Sequence, residues 1–335
     1  MCSGLTIRGV HDERAAGDAA VALDPATRPR TAVVVLCWNN APDTLECLHS
    51  LPGADDGVTF YVVDNGSTDG SADALARDGR AGVLVRTGAN LGYTGGNNVG
   101  LRQALADGAE YVAVLNNDTV VPGGVLERLV DHLATAPDRA TLALSPVIVR
   151  HDDPTTPWFR GGVVDRGWPR HLQPHDPPNR GPLSTTEVLT GCCIVAHRDV
   201  WERVGLFDQG FFLIFEDSDW SLRARARGVR LAVANDCTIR HKVSRSFRGA
   251  AMTHLATYYF VRNGLRFVLR HHRRHLARFV ATWVARPALR AARRGDARGL
   301  AVLVVAAVAP LVRPAGPAPR MVQRLAGVPV QRAVR

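Results

Sequence analysis

Short apolar runs that stop abruptly at polar, glycine-rich loops set the pattern of the first 120 residues. Thr31–Cys37 (TAVVVLC) is continuous and β-branched, as a strand covered on both faces requires, and it gives way to Trp38-Asn39-Asn40. A helix is predicted from near Pro42, since the fixed φ of proline suits a first helical turn. Residues 58–63 repeat the strand pattern and end in Asp64-Asn65-Gly66-Ser67-Thr68-Asp69-Gly70, ahead of a helix over 72–77. A shorter strand over 82–86 leads into NLGYTGGNNVG (90–100), read as a loop, and a helix to about Ala106. Residues 111–115 make a fourth strand, closed by Asn116-Asn117-Asp118. Strands alternating with helices predict an α/β fold with a parallel sheet. The carboxyl ends of parallel strands share one edge, so four polar loops converge on one cleft, where open α/β sheets bind ligands.

Further on, a helix is predicted over 123–134 and a strand over 142–149. Residues 151–182 are rich in Pro, Gly, Asp and Arg. That segment is too long for an ordinary connection and reads as a lid or binding loop. Strand character returns over 187–195, followed by a helix at Arg198–Val204 and an aromatic stretch over 207–215. Glu216-Asp217-Ser218-Asp219 opens a helix to about Arg227, and two closing strands are expected over 229–234 and 237–241. The rest is helical in pattern, over 256–271, 276–294 and 299–312. The organisation expected is a mobile leader (1–30), an α/β domain (31–250) and a basic helical tail (251–335).

A content of 46% hydrophobic and 21% charged residues belongs to a folded globular chain rather than a disordered one. The net charge of +10 is unevenly placed: 24 of the 41 basic residues, but only two of the 31 acidic ones, fall from Arg223 onward. An acidic body joined to such a tail suits an anionic membrane surface, an acidic substrate or nucleic acid. Lys242 is the only lysine; codon bias explains arginine over lysine but not the shortage of acids. The tail helices interleave aromatic and aliphatic residues with arginine, which fits a peripheral membrane contact and a homodimer or helix-packing face equally well. No nucleic-acid module is recognisable. His271, His272 and His275, set among arginines, read as a solvated basic face. Six cysteines show neither CxxC nor zinc spacing and read as buried thiols in a reducing compartment. The first residues lack the apolar stretch of a signal peptide. The longest apolar run, 300–312, is interrupted by Pro310 and falls short of the roughly 20 residues a spanning helix needs. A cytoplasmic chain is expected.

Four places carry candidate chemistry. Asn116-Asn117-Asp118 offers oxygen ligands that suit Mg²⁺ or Mn²⁺ held jointly with substrate phosphates, although the triplet is also turn and capping chemistry. Asp64 at a strand end can accept the imide N–H of a uracil or thymine, or can close an Asx turn. Glu216-Asp217 sets two carboxylates at a helix start, where acids complement the helix dipole. His241 follows the last strand, and neutral imidazole is a metal ligand.

VVVLCWNN, VVDNGSTDGS, NLGYTGGNNVG and LNNDT in this order, then TGCCIVAHRDVWERVGLFDQGFFLIFEDSDW, form a specific set. Over about 31–266 the chain resembles family 2 glycosyltransferases of the GT-A fold, closest to the bacterial rhamnosyltransferase-like group. The resemblance implies a mostly parallel central sheet flanked by helices, with a nucleotide-binding half (31–122) and an acceptor half (123–250). It implies that Cys37, Trp38 and Asn39 line the nucleotide and that Asp64, with Asn65, meets the base. A loop bearing Asn90, Gly95, Gly96 and Asn97 would close around the donor. The Asp-x-Asp type motif falls on Asn116-Asn117-Asp118. Asn116 stands where the motif has an acid, which leaves Asp118 as the main ligand for Mg²⁺ or Mn²⁺ and Asn117 on the donor. His241 joins the metal or diphosphate, with Lys242, Ser244, Arg245 and Ser246 near the phosphates. Asp217 is implied as general base and Glu216 as the residue that holds the acceptor or orients the pair; Asp219 reads as structural or as a partner for Arg223. Cys192-Cys193 are core residues beneath the acceptor.

The implied activity is inverting, metal-dependent sugar transfer from a nucleotide-diphospho-sugar, dTDP-rhamnose first among the donors. The acceptor implied is a hydroxyl of a bacterial glycan, a lipid-linked precursor or a natural product. Two rivals remain in view. A sugar-phosphate nucleotidyltransferase would carry a basic, glycine-rich phosphate loop after the first strand, and CWNNAPDT is not one. An inactive sugar-nucleotide-binding scaffold would have lost acids, yet Asp64, Asp118, Glu216 and Asp217 are all present.

Overall fold

The computed structural model describes residues 29–52, 57–243, 250–312 and 316–325. Ser244, Arg245, Ser246 and all but the last two residues of the expected leader lie outside them.

Strands β1 (Thr31–Cys37), β2 (Val58–Asp64), β3 (Val83–Arg86) and β4 (Tyr111–Asn116) are parallel, in the order β3-β2-β1-β4. Helices α1 (Ala41–Ser50), α2 (Ser71–Asp78) and α3 (Gly92–Ala106) connect them. The order turns back at β1, so the crevice beyond the carboxyl ends of β1 and β4 is the ligand position this topology offers. Val33 and Val35 face one core while Ala32 and Val34 face another, which is why β1 reads as an unbroken apolar run.

The second half adds β5 (Thr119–Val120), α4 (Val125–Thr135), β6 (Leu142–Arg150), β7 (Pro157–Phe159), β8 (Gly162–Asp165), β9 (Trp168–His171) and β10 (Leu183–Thr185). It continues with β11 (Cys193–His197), α5 (Arg198–Val204), α6 (Glu216–Ala226) and β12 (Arg230–His241). The sheet extends as β10-β12-β6-β11-β4, with β11 antiparallel to both neighbours and β12 parallel to β6. Two closing strands were expected where there is one: β12 runs through a bulge between Ala234 and Thr238. Strand β11 begins at Cys193 rather than 187, because the chain turns at Thr190–Cys192 first. Segment 151–182, expected as a lid or binding loop, carries three short strands, β7 and the β8–β9 hairpin.

The tail comprises α7 (Ala250–His271), α8 (Leu276–Phe279), a π-helical stretch at Val280–Ala285, α9 (Arg286–Arg293), α10 (Ala297–Val312) and α11 (Arg320–Leu325). Packing crosses the division expected at residue 250. Phe211, Phe212 and Phe215 share a third core with Tyr258, Tyr259, Phe267, Val302 and Leu303. Trp168 of β9 meets Phe215, Phe260 and Phe279 there. The expected solvated histidine face also differs. His271 is largely buried and its Nε2 lies 2.8 Å from Asp219 Oδ1, and His272 Nε2 is buried.

Candidate active site

The edge expected to meet the nucleotide is assembled from short loops. Asn39 adopts a positive φ of 51°, which asparagine tolerates, and this turns it toward the loop after β2. Its N–H donates to Ser67 Oγ (3.0 Å) and its Oδ1 accepts from Thr68 N–H (2.8 Å). Trp38 beside it stays exposed. Asp64 is buried; Oδ2 accepts a long 3.4 Å bond from Ser67 N–H, and Oδ1 has no hydrogen-bond partner among the described residues. A buried carboxylate oxygen left unpaired is costly, so Oδ1 stands as an unused acceptor at this edge. Burial pushes the Cys37 thiol up, so it stays protonated, while its carbonyl accepts from Asn65 N–H (2.8 Å).

Asn65 spends its side chain on the next loop. Nδ2 donates to Asn90 Oδ1 (3.1 Å) and Gly92 O (3.2 Å), and Oδ1 accepts from Leu91 N–H (3.0 Å). The stretch read as a donor loop is mostly helix: Gly95, Gly96 and Asn97 are buried within α3. A Cβ at Gly96 would come within 2.3 Å of Leu36 Cδ1, so this glycine lets the helix press onto β1. Gly92 (φ +76°) does the same toward the loop 207–215, where a Cβ would lie 2.5 Å from Phe212 O. Thr94 N–H donates to that carbonyl (3.2 Å), tying the two halves together. Asn97 Nδ2 donates to Tyr93 O (2.9 Å), while Asn97 Oδ1 and Thr94 Oγ1 are buried without partners among the described residues.

At the end of β4 the pairing of β5 with β12 sets Thr119 opposite His241 and brings Asp118 alongside it. His241 Nε2 lies 3.0 Å from Asp118 Oδ1, yet neither ring nitrogen of this buried histidine makes an aligned hydrogen bond among the described residues. Two adjacent ligands on an octahedral Mg²⁺-sized ion also sit about 3 Å apart, so the pair fits such a cation. Asn116 is half-buried beside them; its N–H donates to Cys192 O (2.9 Å) and its carbonyl accepts from Thr119 Oγ1 (2.7 Å). Asn117 turns toward α1, where Nδ2 donates to Thr44 Oγ1 (2.8 Å). Lys242, expected near phosphates, instead donates through Nζ to Asp43 and Glu46 of α1. Another group of ligand-type residues, His132, Asp236 and Cys237, is closed on itself. His132 Nε2 lies 2.9 and 3.0 Å from the Asp236 oxygens, and burial pushes the Cys237 thiol up to about 12.

The carboxylate pair hangs from the same turn as the Asn116–Asp118 loop. Gly191 N–H donates to Asp217 Oδ2 (3.0 Å), and the neighbouring Cys192 carbonyl is the one that accepts from Asn116. Asp217 Oδ1 accepts from Ser218 N–H (2.6 Å) and Ser218 Oγ (3.1 Å). Burial, then the charge of Asp217, push the Glu216 carboxyl up to about 8, and its Oε2 has no partner among the described residues. Trp158 and His171 give no sequence signal of their own, because 151–182 carries no motif. His171 Nδ1 lies 3.2 Å from Trp158 O; a carbonyl only accepts, so Nδ1 holds the proton and Nε2 the lone pair. Burial keeps His171 below its ordinary value against the pull of Asp217. The Trp158 ring meets His171 and His241, each with centroids 4.9 Å apart, and so spans the two clusters.

The approach to Glu216 is strained. Phe212, Ile214 and Phe215 all have positive φ (64°, 69°, 74°), costly for bulky residues and most of all for a β-branched one. Helix α7 holds them there. Buried Asn263 donates through Nδ2 to the carbonyls of Phe211 (2.7 Å), Leu213 (2.5 Å) and Ile214 (3.1 Å), and its Oδ1 accepts from buried Arg262 (2.7 Å). Asp219, one turn into α6, accepts from Arg223 Nε (2.8 Å), as expected, and pairs with His271. The signal for Asn263 was present, a polar pair inside an apolar helical stripe (TYYFVRNGLRF), but the tail was read as a separate region.

Residues 32–205 match the Glycosyl transferase family 2 description. An N-acetylglucosaminyl-diphospho-decaprenol L-rhamnosyltransferase of Mycobacterium tuberculosis is 30% identical over 253 residues, covering 68% of this chain and 80% of the relative. A dTDP-rhamnosyl transferase, RfbF, of Shigella flexneri is 23% identical over 221 residues, covering 63% and 71%. Among solved structures, a mannosyltransferase of Pyrobaculum calidifontis in complex with GDP-Man and Mn²⁺ superposes with a TM-score of 0.53 at 23% identity, covering 89% of this chain and 91% of that one. With its α/β GT-A architecture, this chain belongs to glycosyl transferase family 2 and is rhamnosyltransferase-like.

Proposed function

We propose that the protein is an inverting, metal-dependent glycosyltransferase that moves a deoxyhexose from a nucleotide-diphospho-sugar, dTDP-rhamnose first, to a hydroxyl of a lipid-linked or other bacterial glycan acceptor. The observation that carries the metal and carboxylate assignment is the Asp118–His241 contact, 3.0 Å without a hydrogen bond, tied through Gly191–Cys192 to Asp217. The donor and acceptor classes rest on the rhamnosyl relatives, one of them named for a decaprenol-linked acceptor.

Asp118 and His241, with the Asn116 amide beside them, would hold Mg²⁺ or Mn²⁺, which when bound neutralises charge on the departing diphosphate. Asp64 Oδ1 takes the imide N–H of the pyrimidine, with Trp38 as the exposed aromatic surface next to it. Asp217, aimed by the Gly191 and Ser218 N–H groups, removes the acceptor hydroxyl's proton as that oxygen attacks the anomeric carbon. The attack and the loss of the diphosphate occur in one displacement, which inverts the anomeric centre and needs no protein nucleophile. Glu216, neutral below about pH 8, adds no second charge beside Asp217 and offers a carboxyl proton as hydrogen-bond donor.

The test is calorimetry with deoxythymidine, uridine and guanosine diphosphate sugars, with Mn²⁺ and with chelator. Metal-dependent binding of one donor, lost in Asp118→Ala and kept in Asp217→Ala, supports the roles. No binding to any donor by the folded chain points to the inactive scaffold instead.

A further inference from the structure

The tail leaves apolar side chains uncovered where the body does not. Of the seven large apolar side chains exposed among the described residues, six lie beyond α8: Val280, Trp283, Leu289, Val304, Val308 and Met321. The seventh is Trp38, at the nucleotide edge. From Leu300 onward helix α10 is apolar on every face, a pattern that belongs inside a protein. Its Val302, Leu303 and Ala306 are buried in the third core with residues of α7. Val304 and Val308, one turn apart on another face, are 54% and 46% exposed. Trp283 stacks on Trp168 (centroids 5.5 Å apart, planes at 20°) and still leaves 39% of its surface outside.

Charge decides what covers this face. Arg286, Arg290, Arg293, Arg294 and Arg298 are all exposed beside it, and from 250 to 325 the sequence holds a single acid, Asp296. Asp296 is already engaged, accepting from Gly299 N–H (2.8 Å) at the start of α10. A second copy docking here would set one row of arginines against the same row. A polynucleotide would answer the arginines but offers no apolar seat for Val304 and Val308. An anionic bilayer answers both, with headgroup phosphates for the guanidiniums and acyl chains for the apolar side chains. No helix of the described residues is long and apolar enough to cross a membrane, so the contact lies along the surface.

We propose that the face formed by Val280–Ala285, α9 and α10 docks on an anionic phospholipid bilayer. The full chain is sedimented with vesicles of pure phosphatidylcholine and of phosphatidylcholine with one third phosphatidylglycerol. The assay contains no sugar nucleotide, so its result is independent of the transfer reaction. Binding to the anionic vesicles alone is expected, falling at least tenfold in 0.5 M salt and at least tenfold in Val304→Ser/Val308→Ser. That variant should keep its melting temperature and its transfer to a water-soluble acceptor. Arg290→Gln/Arg293→Gln/Arg294→Gln should weaken binding similarly. Failure of the wild type to bind at low salt overturns the proposal. So does binding that the double valine variant leaves unchanged, or a dimer in sedimentation that this variant dissociates.

Discussion

The nucleotide edge and the carboxylate end use opposite means to fix their side chains. At the nucleotide edge the unusual backbone falls on residues that accept it, Asn39, Gly66, Gly70 and Gly92, and the supporting bonds run between neighbouring loops. At the carboxylate end it falls on Phe212, Ile214 and Phe215, which do not, and the restraint comes from Asn263, about fifty residues away. A glycine turn holds its shape unaided, whereas a strained aromatic turn persists only while something outside it over-determines it. The first end therefore tolerates loss of one support better than the second.

The sharpest contrast is in the chemistry. Asp217→Asn keeps the shape and removes the base, so kcat should fall by about 10²–10⁴ while the donor's Kd is unchanged. A loss of donor binding instead would move Asp217 into the nucleotide site. Asn263→Asp comes next: it replaces the amide that donates to three carbonyls by a group that repels them. Leaving buried carbonyls unpaired costs about 1–3 kcal/mol, so a fall of about 10- to 100-fold in kcat is expected with donor Kd intact. Asn263→Ser, which retains one donor, should recover part of that loss at an equal melting temperature. If the two variants differ only in melting temperature, the clamp serves stability alone.

These two ends were also unequally legible. Thr31–Cys37, Asp64 and Asn116-Asn117-Asp118 announce themselves because strand and loop are contiguous, so local pattern and position in the sheet are the same information. Glu216-Asp217 could be found as a pair, but not what positions them. Asn263, Gly191, Trp158 and His171 reach the site only through tertiary pairing. The glycines of NLGYTGGNNVG misled in a specific way. Loop composition and a helix packed tight on a strand both call for glycine, and the clash of a Cβ at Gly96 with Leu36 is invisible until β1 and α3 meet. The arginine-rich tail hid its ion pairs, since a guanidinium paired with Asp219 or Asp208, as in Arg270 and Arg266, is written like one facing water.

A milder effect is expected at the nucleotide edge. Asp64→Asn can still present a carbonyl in place of the unpaired Oδ1, and the bond lost among the described residues is the 3.4 Å one from Ser67 N–H to Oδ2. Donor Kd should rise about 10-fold, the weight of one hydrogen bond to a charged group, with the melting temperature unchanged. An unaltered Kd for the pyrimidine donor would remove Asp64 from base recognition.

Glu216→Gln should change least at pH 7 and most above pH 8. Below about 8 the native carboxyl is neutral, and glutamine copies its shape and its donor, so kcat at pH 7 should stay within a few-fold of wild type. Above pH 8 wild-type Glu216 ionises beside Asp217, and kcat should fall as the two charges compete; the Gln variant should lack that alkaline fall. Stability follows the same proton. The native pKa lies above the unfolded value of about 4.5, so between these values the folded chain holds a proton that the unfolded chain has released. Stability is therefore lost as pH rises from about 4.5 to about 8, by up to about 5 kcal/mol, and the Gln variant should escape the loss. Melting temperatures of both forms from pH 5 to 9 would converge at the acid end and separate at the alkaline end. If Glu216→Gln instead loses activity at pH 7 as deeply as Asp217→Asn, then Glu216 works as an anion, and the base belongs to the first carboxylate of the pair rather than the second.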